Sequence, residues 1–108
     1  MICQEFHFVV RGPESISRLI SFVPYLYAGQ VVTGAVVQHT PPAGGSVDLT
    51  MTATPVSESG APGAPLTHVL WSGLGPLIGM GYHMCDVVAT LSLTGETKTA
   101  RFWVRYAG

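Results

Sequence analysis

Two possible soft-metal ligands, His83 and Cys85, stand two residues apart in a segment with the pattern of a β-strand. Alternate residues of a strand share one face, so the imidazole and the thiol would point the same way. His7 or His68 could complete a site, because zinc and other soft metals bind imidazole and thiolate. A strong zinc motif has a second pair of ligands, which this sequence lacks. We predict no metal site and no cofactor, with Cys85 in the core beside a partly exposed His83.

Acid–base catalysis would need a carboxylate near a histidine, and Asp86 is the candidate because it lies close to His83 in sequence. The strand alternation turns Asp86 away from the face of Cys85, which favours an outward carboxylate. An enzyme using Asp86 with His83 is our third hypothesis, and it predicts a perturbed histidine titration in a concave site.

The glycine pairs within residues 73–81 do not form a phosphate-binding loop, because Pro76 removes an amide donor and no Lys-Ser/Thr follows. The sequence also lacks a Gly-x-Ser-x-Gly nucleophile elbow. We therefore expect a protein that is not an enzyme.

Arg101, Trp103 and Arg105 alternate along the last predicted strand and would form an outward stripe of aromatic and basic side chains. Such a stripe can bind a protein partner or a carbohydrate through stacking and bidentate hydrogen bonds. Two alternatives are a second core face and cross-strand pairing with Thr90 and Ser92. The sequence leaves these possibilities open.

The composition describes a chain of 108 residues with a low content of charge, which is the length of one domain. Charged residues make up 10% and the net charge is −1, whereas an average soluble domain is about 25% charged. We expect no nucleic-acid partner, because phosphate binding needs clustered lysine and arginine. Depletion of charge is instead typical of the core of a protein–protein interface.

Long uncharged segments raise the question of a membrane span, but prolines and glycines interrupt residues 19–47 and 59–85. A spanning helix must satisfy its own backbone, so we predict no membrane span. The first residues lack the basic start and apolar run of a secretion signal, which favours delivery by assembly rather than by export. Cys3 and Cys85 are too few for a disulfide scaffold, and we favour two reduced, mostly buried thiols.

Short β-like runs separated by turn residues position these side chains. Segment 16–23 is ambiguous, since its apolar spacing fits a helical stripe while Pro24 cuts it short. The two closing strands are expected to form a hairpin with a turn at Thr94–Thr97. On the first of them we expect the inward residues to be Cys85, Val87, Ala89, Leu91 and Leu93. On the returning strand we expect them to be Ala100, Phe102, Val104 and Tyr106. The remaining predicted strands are Phe6–Val10, Val31–Val37 with a glycine bulge, Val47–Ala53 and His68–Trp71.

Residues 55–65, rich in proline, glycine and serine, predict an extended exposed loop, in which Pro62 and Pro65 are candidate contact residues. About seven short strands with turns every 8 to 12 residues predict one antiparallel β-sandwich of immunoglobulin-like type over residues 1–108.

Two stretches of the chain carry a family resemblance. One is Pro13-Glu14 with segment 25–34 (YLYAGQVVTG), and the other runs from Val69–Gly73 through Gly81-Tyr82 to the hairpin of 87–104. They resemble small bacteriophage virion proteins, often called phage fibre-like proteins, which have an immunoglobulin-like fold. In that family an aromatic strand, a glycine turn and a β-branched strand follow the Pro-Asp/Glu start, and Gln30 stands where an acidic residue is usual. The resemblance implies no catalytic residue.

The resemblance and the low charge lead to one first hypothesis, a structural protein of a phage particle. It would bind capsid or neck subunits by apolar packing, with self-association or symmetric copies, using Arg101, Trp103, Arg105 and the 55–65 loop. The second hypothesis is a free-standing ligand-binding module, for example a carbohydrate-binding sandwich, which predicts a monomer with measurable glycan affinity.

Overall fold

The computed structural model describes residues 2–11, 16–40, 51–61, 63–73 and 81–106. Seven strands alternate with turns along these segments. Their bounds are β1 (Ile2–Val10), β2 (Ile16–Ser21), β3 (Val32–Thr40), β4 (Met51–Val56), β5 (His68–Gly73), β6 (Gly81–Leu91) and β7 (Thr97–Tyr106). A short 3₁₀ helix, Val23–Tyr25, follows β2.

The strands form two sheets, a four-stranded sheet in the order β1-β7-β6-β3 and a three-stranded sheet in the order β2-β5-β4. This arrangement confirms the predicted all-β sandwich. One strand corrects the prediction of antiparallel pairing throughout. β1 runs parallel to β7, with Glu5 beside Arg101 and Val9 beside Arg105, whereas the other neighbouring strands are antiparallel.

The core lies between the two sheets and is built by alternation along the strands. Trp71 of β5 is fully buried and stacks on Phe102 of β7, with ring centroids 4.4 Å apart. Phe102 in turn stacks on Phe6 of β1 at 5.0 Å. The buried apolar residues of this core are Ile20, Phe22, Val32, Val69, Trp71, Cys85, Val87, Ala89, Leu91, Ala100, Phe102 and Val104.

The ambiguous segment 16–23 forms a strand and then a turn. Ile16–Ser21 pairs with β5 along its whole length, and the 3₁₀ helix begins just before Pro24. The aromatic residues that follow do not form the strand that the family resemblance implied, because Tyr25 belongs to the 3₁₀ helix. The glycine turn does form, with a φ of +82° at Gly29. In that turn the Gln30 amide donates to the Tyr27 carbonyl at 2.9 Å.

The closing hairpin confirms most of the predicted inward set and corrects one member. Cys85, Val87, Ala89 and Leu91 are buried on β6, but β6 ends at Leu91. Leu93 therefore lies in the turn, where it is 80% exposed and has a φ of +71°. The strand ends at Leu91, before the predicted turn at Thr94. The alternation of the strand therefore does not apply to Leu93.

The loop expected over residues 55–65 begins later than predicted. Pro55 and Val56 belong to β4, where Pro55 pairs with Val69. β4 is an edge strand, which tolerates a proline because one side of its backbone makes no ladder bonds. Val56 is buried, and a Cβ atom at Gly60 would lie 3.9 Å from Leu19 Cδ1, so the start of this loop runs close to β2.

The structure describes one of the two candidate prolines of the loop. Pro65 is exposed, as expected of a contact residue, and Pro62 lies outside the described residues. The first part of the predicted strand Val47–Ala53 also lies outside them. β3 confirms the glycine bulge, because its register against β6 shifts between Val32 and Gly34.

Cys3 and Cys85 are both free thiols, Cys85 buried and Cys3 half-buried. In the part of the chain that the structure describes, no helix has the length and apolar character needed to cross a membrane.

Candidate functional site

The predicted stripe lies on the outer face of the four-stranded sheet. Arg101, Trp103 and Arg105 point away from the core, because the intervening Phe102 and Val104 are buried. Trp103 is half-buried and Arg105 is exposed, so this is not a second core face.

The cross-strand partners of the stripe differ from those considered from sequence. Arg101 lies opposite Asp86, Trp103 opposite Met84, and Arg105 opposite Tyr82. The pairing with Thr90 and Ser92 does not form. The hairpin register cannot be deduced from alternation alone, because it depends on where the turn begins.

Asp86 and Arg101 form a bidentate ion pair at the middle of this face. The Arg101 Nε and Nη2 atoms donate to the two carboxylate oxygens of Asp86 at 2.7 and 2.9 Å. The hydrogen bonds and the nearby negative charge raise the pKa of Arg101, so the guanidinium stays charged. The same guanidinium lies 5.7 Å from the centre of the Trp103 ring, a cation–π distance. Arg101 is thus held in place and fixes one side of Trp103.

The ion pair separates Asp86 from the histidine that an acid–base site would need. His83 is fully buried on the inner face of β6, while Asp86 points outward from the same strand. The geometry therefore does not bring together the two residues of the enzyme hypothesis.

A neighbouring strand supplies the second wall of the stripe. His7 of β1 lies beside Trp103 in the parallel register, and the two rings are 6.4 Å apart with an interplanar angle of 18°. The His7 Nε2 atom lies 3.5 Å from the carboxylate of Glu5. Sequence reasoning did not associate His7 with this stripe, because a parallel β1–β7 pair leaves no local signal such as a hairpin turn.

A shallow groove opens between these strands at the Arg105 end of the face. Its volume is about 180 Å³, and it is lined by His7, Val9, Tyr82, Trp103 and Arg105. Tyr82 is 59% exposed, which places its ring at the mouth. The groove thus combines aromatic walls with one exposed cationic side chain.

The histidine predicted to be partly exposed is instead buried, and it pairs with a half-buried histidine. His83 is fully buried, and its Nδ1 atom lies 2.8 Å from the Nε2 atom of His39 on β3. A hydrogen bond between these nitrogens needs one donor and one acceptor, so both imidazoles cannot present N–H groups to each other. Burial, and then the proximity of His83, lower the pKa of His39.

Cys85 lies directly across the β3–β6 ladder from His39, and its thiol is buried. Burial, assisted by the negative charge of Asp86, raises the pKa of Cys85 to about 12. Neither His7 nor His68 joins this pair, since His7 lies on the outer face and the His68 Nδ1 atom bonds to Thr67. Among the described residues no group of three metal-ligating side chains is found.

His39 is the residue of this pair that sequence reasoning missed. Its signal was present: Val37 and His39 continue the inward alternation of β3, but the predicted strand stopped at Val37.

Comparisons with known proteins add no identity, because no family model, no curated protein and no solved structure matches the chain.

Proposed function

We propose that this chain is a non-enzymatic structural protein of a bacteriophage particle. It acts by protein–protein packing, as a subunit on the capsid surface or as a fibre-like subunit of the head or neck. It is made in the host cytoplasm and incorporated by assembly, beside other virion proteins and symmetric copies of itself. The observation that carries the packing role is the composition of the outer face of the four-stranded sheet.

That outer face has the residue types of an interface core. Tryptophan, tyrosine, methionine and arginine are enriched at interfaces, and lysine and glutamate are depleted. Trp103, Tyr82 and Met84 meet Arg101 and Arg105 on two adjacent strands. Lysine is absent from the outward positions of this sheet that the structure describes, and the two acids there, Glu5 and Asp86, are paired with His7 and Arg101.

The central charges of this face are compatible with burial under a partner. A charge buried without a partner is costly, but Asp86 and Arg101 already satisfy each other through two hydrogen bonds. Covering this pair would leave no uncompensated charge at the centre. Trp103 beside it offers a rigid aromatic anchor of the kind that dominates binding energy at interfaces.

The order of the strands supports the immunoglobulin-like part of the proposal. The neighbours β2-β5-β4 and β3-β6-β7 follow the B-E-D and C-F-G orders of an immunoglobulin sandwich. The chain departs from constant-type antibody domains in three ways. β1 pairs with β7 in the four-stranded sheet, whereas the first strand of those domains lies in the sheet of B, E and D. Its buried tryptophan, Trp71, lies on β5 where those domains have theirs on the third strand, and its cysteines are free.

Quantitative peptide counting on purified phage particles tests the proposed function. The chain is measured against the major shell protein of the same particles. About one copy per shell subunit would identify a decoration subunit, and a dozen or so copies per particle would place it at the neck or fibre base. Absence from the particles would overturn the proposal.

A substitution tests whether the outer face makes the contact. Trp103→Ala removes the anchor without opening the core, so we expect binding to depleted particles to weaken by about 2 kcal/mol, roughly 30-fold. Tyr27→Ala is the matched control, because Tyr27 is 73% exposed in the turn before β3, away from this face. Equal binding by the two variants, both folded by circular dichroism, would reject this face as the contact.

A further inference from the structure

The groove at the Arg105 end of the outer face has donors that no other described residue uses. Arg105 forms no ion pair with a described carboxylate, and the Tyr82 hydroxyl has no hydrogen-bond partner among the described residues. The two outward carboxylates of this sheet already have partners, Asp86 with Arg101 and Glu5 with His7 of the groove lining. Arg105 and Tyr82 therefore supply the available donors of the lining, and they suit an anionic ligand with further acceptors.

The walls of the groove specify the shape of that ligand. Trp103 and Val9 contribute apolar atoms to the lining, and His7 and Tyr82 contribute polar ones. A volume of about 180 Å³ is smaller than the roughly 300–1,000 Å³ of sites that enclose drug-sized ligands. One ring fits this space better than a larger molecule.

We propose that this groove binds one acidic sugar residue of the hexuronic acid type. The C–H face of the pyranose ring lies against Trp103, and the carboxylate accepts two parallel hydrogen bonds from the Arg105 guanidinium. The ring hydroxyls bond to Tyr82 and His7 at the rim. A flat aromatic acid would use Trp103 and Arg105 but would leave those rim groups without partners.

This inference goes beyond the structural role proposed above and does not depend on it. Packing under a virion partner requires the centre of the face around Trp103 and the Asp86–Arg101 pair. Sugar binding also uses Trp103. The two are separated by the Arg105 charge at one end of the face, which the sugar carboxylate requires. The two can therefore fail separately, in different experiments.

The test follows the indole N–H signals of the two tryptophans by ¹H–¹⁵N NMR while glucuronate is added to the full chain. Trp103 lines the groove and Trp71 is buried in the core, so Trp71 reports any general disturbance. We expect the Trp103 signal to shift with a dissociation constant in the millimolar range, as for a single small ring, and the Trp71 signal to stay in place. Glucose, which lacks the carboxylate, is expected to bind about tenfold more weakly.

A matched pair of arginine variants completes the design. Arg105→Gln should weaken glucuronate binding about tenfold, because the bidentate charge-assisted contact is lost. Arg18→Gln, an exposed arginine on β2 of the other sheet, should leave it unchanged.

Three results would overturn the inference. Acetate or inorganic phosphate shifting Trp103 as strongly as glucuronate would show a simple anion site. Glucose binding as tightly as glucuronate would show that Arg105 does not recognise the carboxylate. No shift of the Trp103 signal with any sugar would show that the groove does not bind this class of ligand. Each of these results leaves the particle experiment unaffected.

Discussion

At the scale of single residues, the interior of the larger sheet contains a thiol that should resist modification. The pKa of Cys85 is raised to about 12 by burial and by Asp86, and the thiolate is the reactive form. We expect Cys85 to be alkylated at pH 8 only when the chain unfolds. Cys3, which is half-buried with a pKa raised by burial, should react first in the native protein. Mass spectrometry of peptides after timed iodoacetamide treatment gives the order, and rapid native labelling of Cys85 would contradict the buried position.

The His39–His83 pair should make the free energy of unfolding depend on pH. The pKa of His39 is lowered in the folded chain, so the unfolded chain takes up its proton first as the pH falls below about 6.5. The free energy of unfolding should be highest above that value, decline as the pH falls through it, and level off below the folded pKa. The groups facing His39 are His83, through the 2.8 Å contact, and the neutral Cys85 thiol.

Urea unfolding at several pH values measures this decline. His39→Gln keeps a hydrogen-bonding group opposite His83 and removes one titrating imidazole, so its stability should vary less between pH 7 and pH 5. His68→Gln is the control, since His68 lies on β5 and bonds to Thr67. An identical pH profile for His39→Gln and the unsubstituted chain would show that the pair is not the cause.

At the scale of elements, Gln30 joins the turn before β3 to the β6–β7 hairpin. Its side chain accepts from the Tyr27 amide at 2.9 Å and donates to the Ser92 carbonyl at 2.9 Å and to Thr94 at 3.2 Å. Gln30 is only 5% exposed, so water cannot replace these bonds easily. The residue therefore fixes two turns that are 62 positions apart in sequence.

We expect Gln30→Leu to lower the free energy of unfolding by about 2–3 kcal/mol, because buried polar groups lose their partners. Gln30→Glu keeps the acceptor for Tyr27 but directs a carboxylate at the Ser92 carbonyl. Its loss should therefore be larger at pH 7 than at pH 4, where a protonated acid can donate again. Denaturant unfolding at both pH values tests this, and equal losses for Glu at both would contradict the donor role.

At the scale of the whole molecule, alternation predicted the sandwich and most of its core. The runs around Val87 and Phe102 have a period of two, and a half-buried sheet requires that period. The direction of β1 was missed because parallel pairing joins distant strands without a turn between them. Leu93 was misplaced because alternation cannot show where a strand gives way to a turn.

The candidate site was predictable only in part. Alternation shows which residues of one strand share a face, but it does not show which residues pair across strands. The residues of one strand were found together, since Arg101, Trp103 and Arg105 need only β7 to share a face. His7 and Tyr82 join them through pairing across strands, which depends on the register of the whole sheet. The His39–His83 pair was missed because it too crosses between strands.

The parallel pairing of β1 with β7 has a mechanical consequence. The start of β1 lies beside the start of β7, so Ile2 and Tyr106 are at opposite ends of the shared ladder. Tension applied between these two residues pulls the strands lengthwise past each other. The ladder bonds then bear the load together in shear, whereas a hairpin pulled at its open end yields one bond at a time. Loaded in this direction, the sandwich resists extension through its outermost strand.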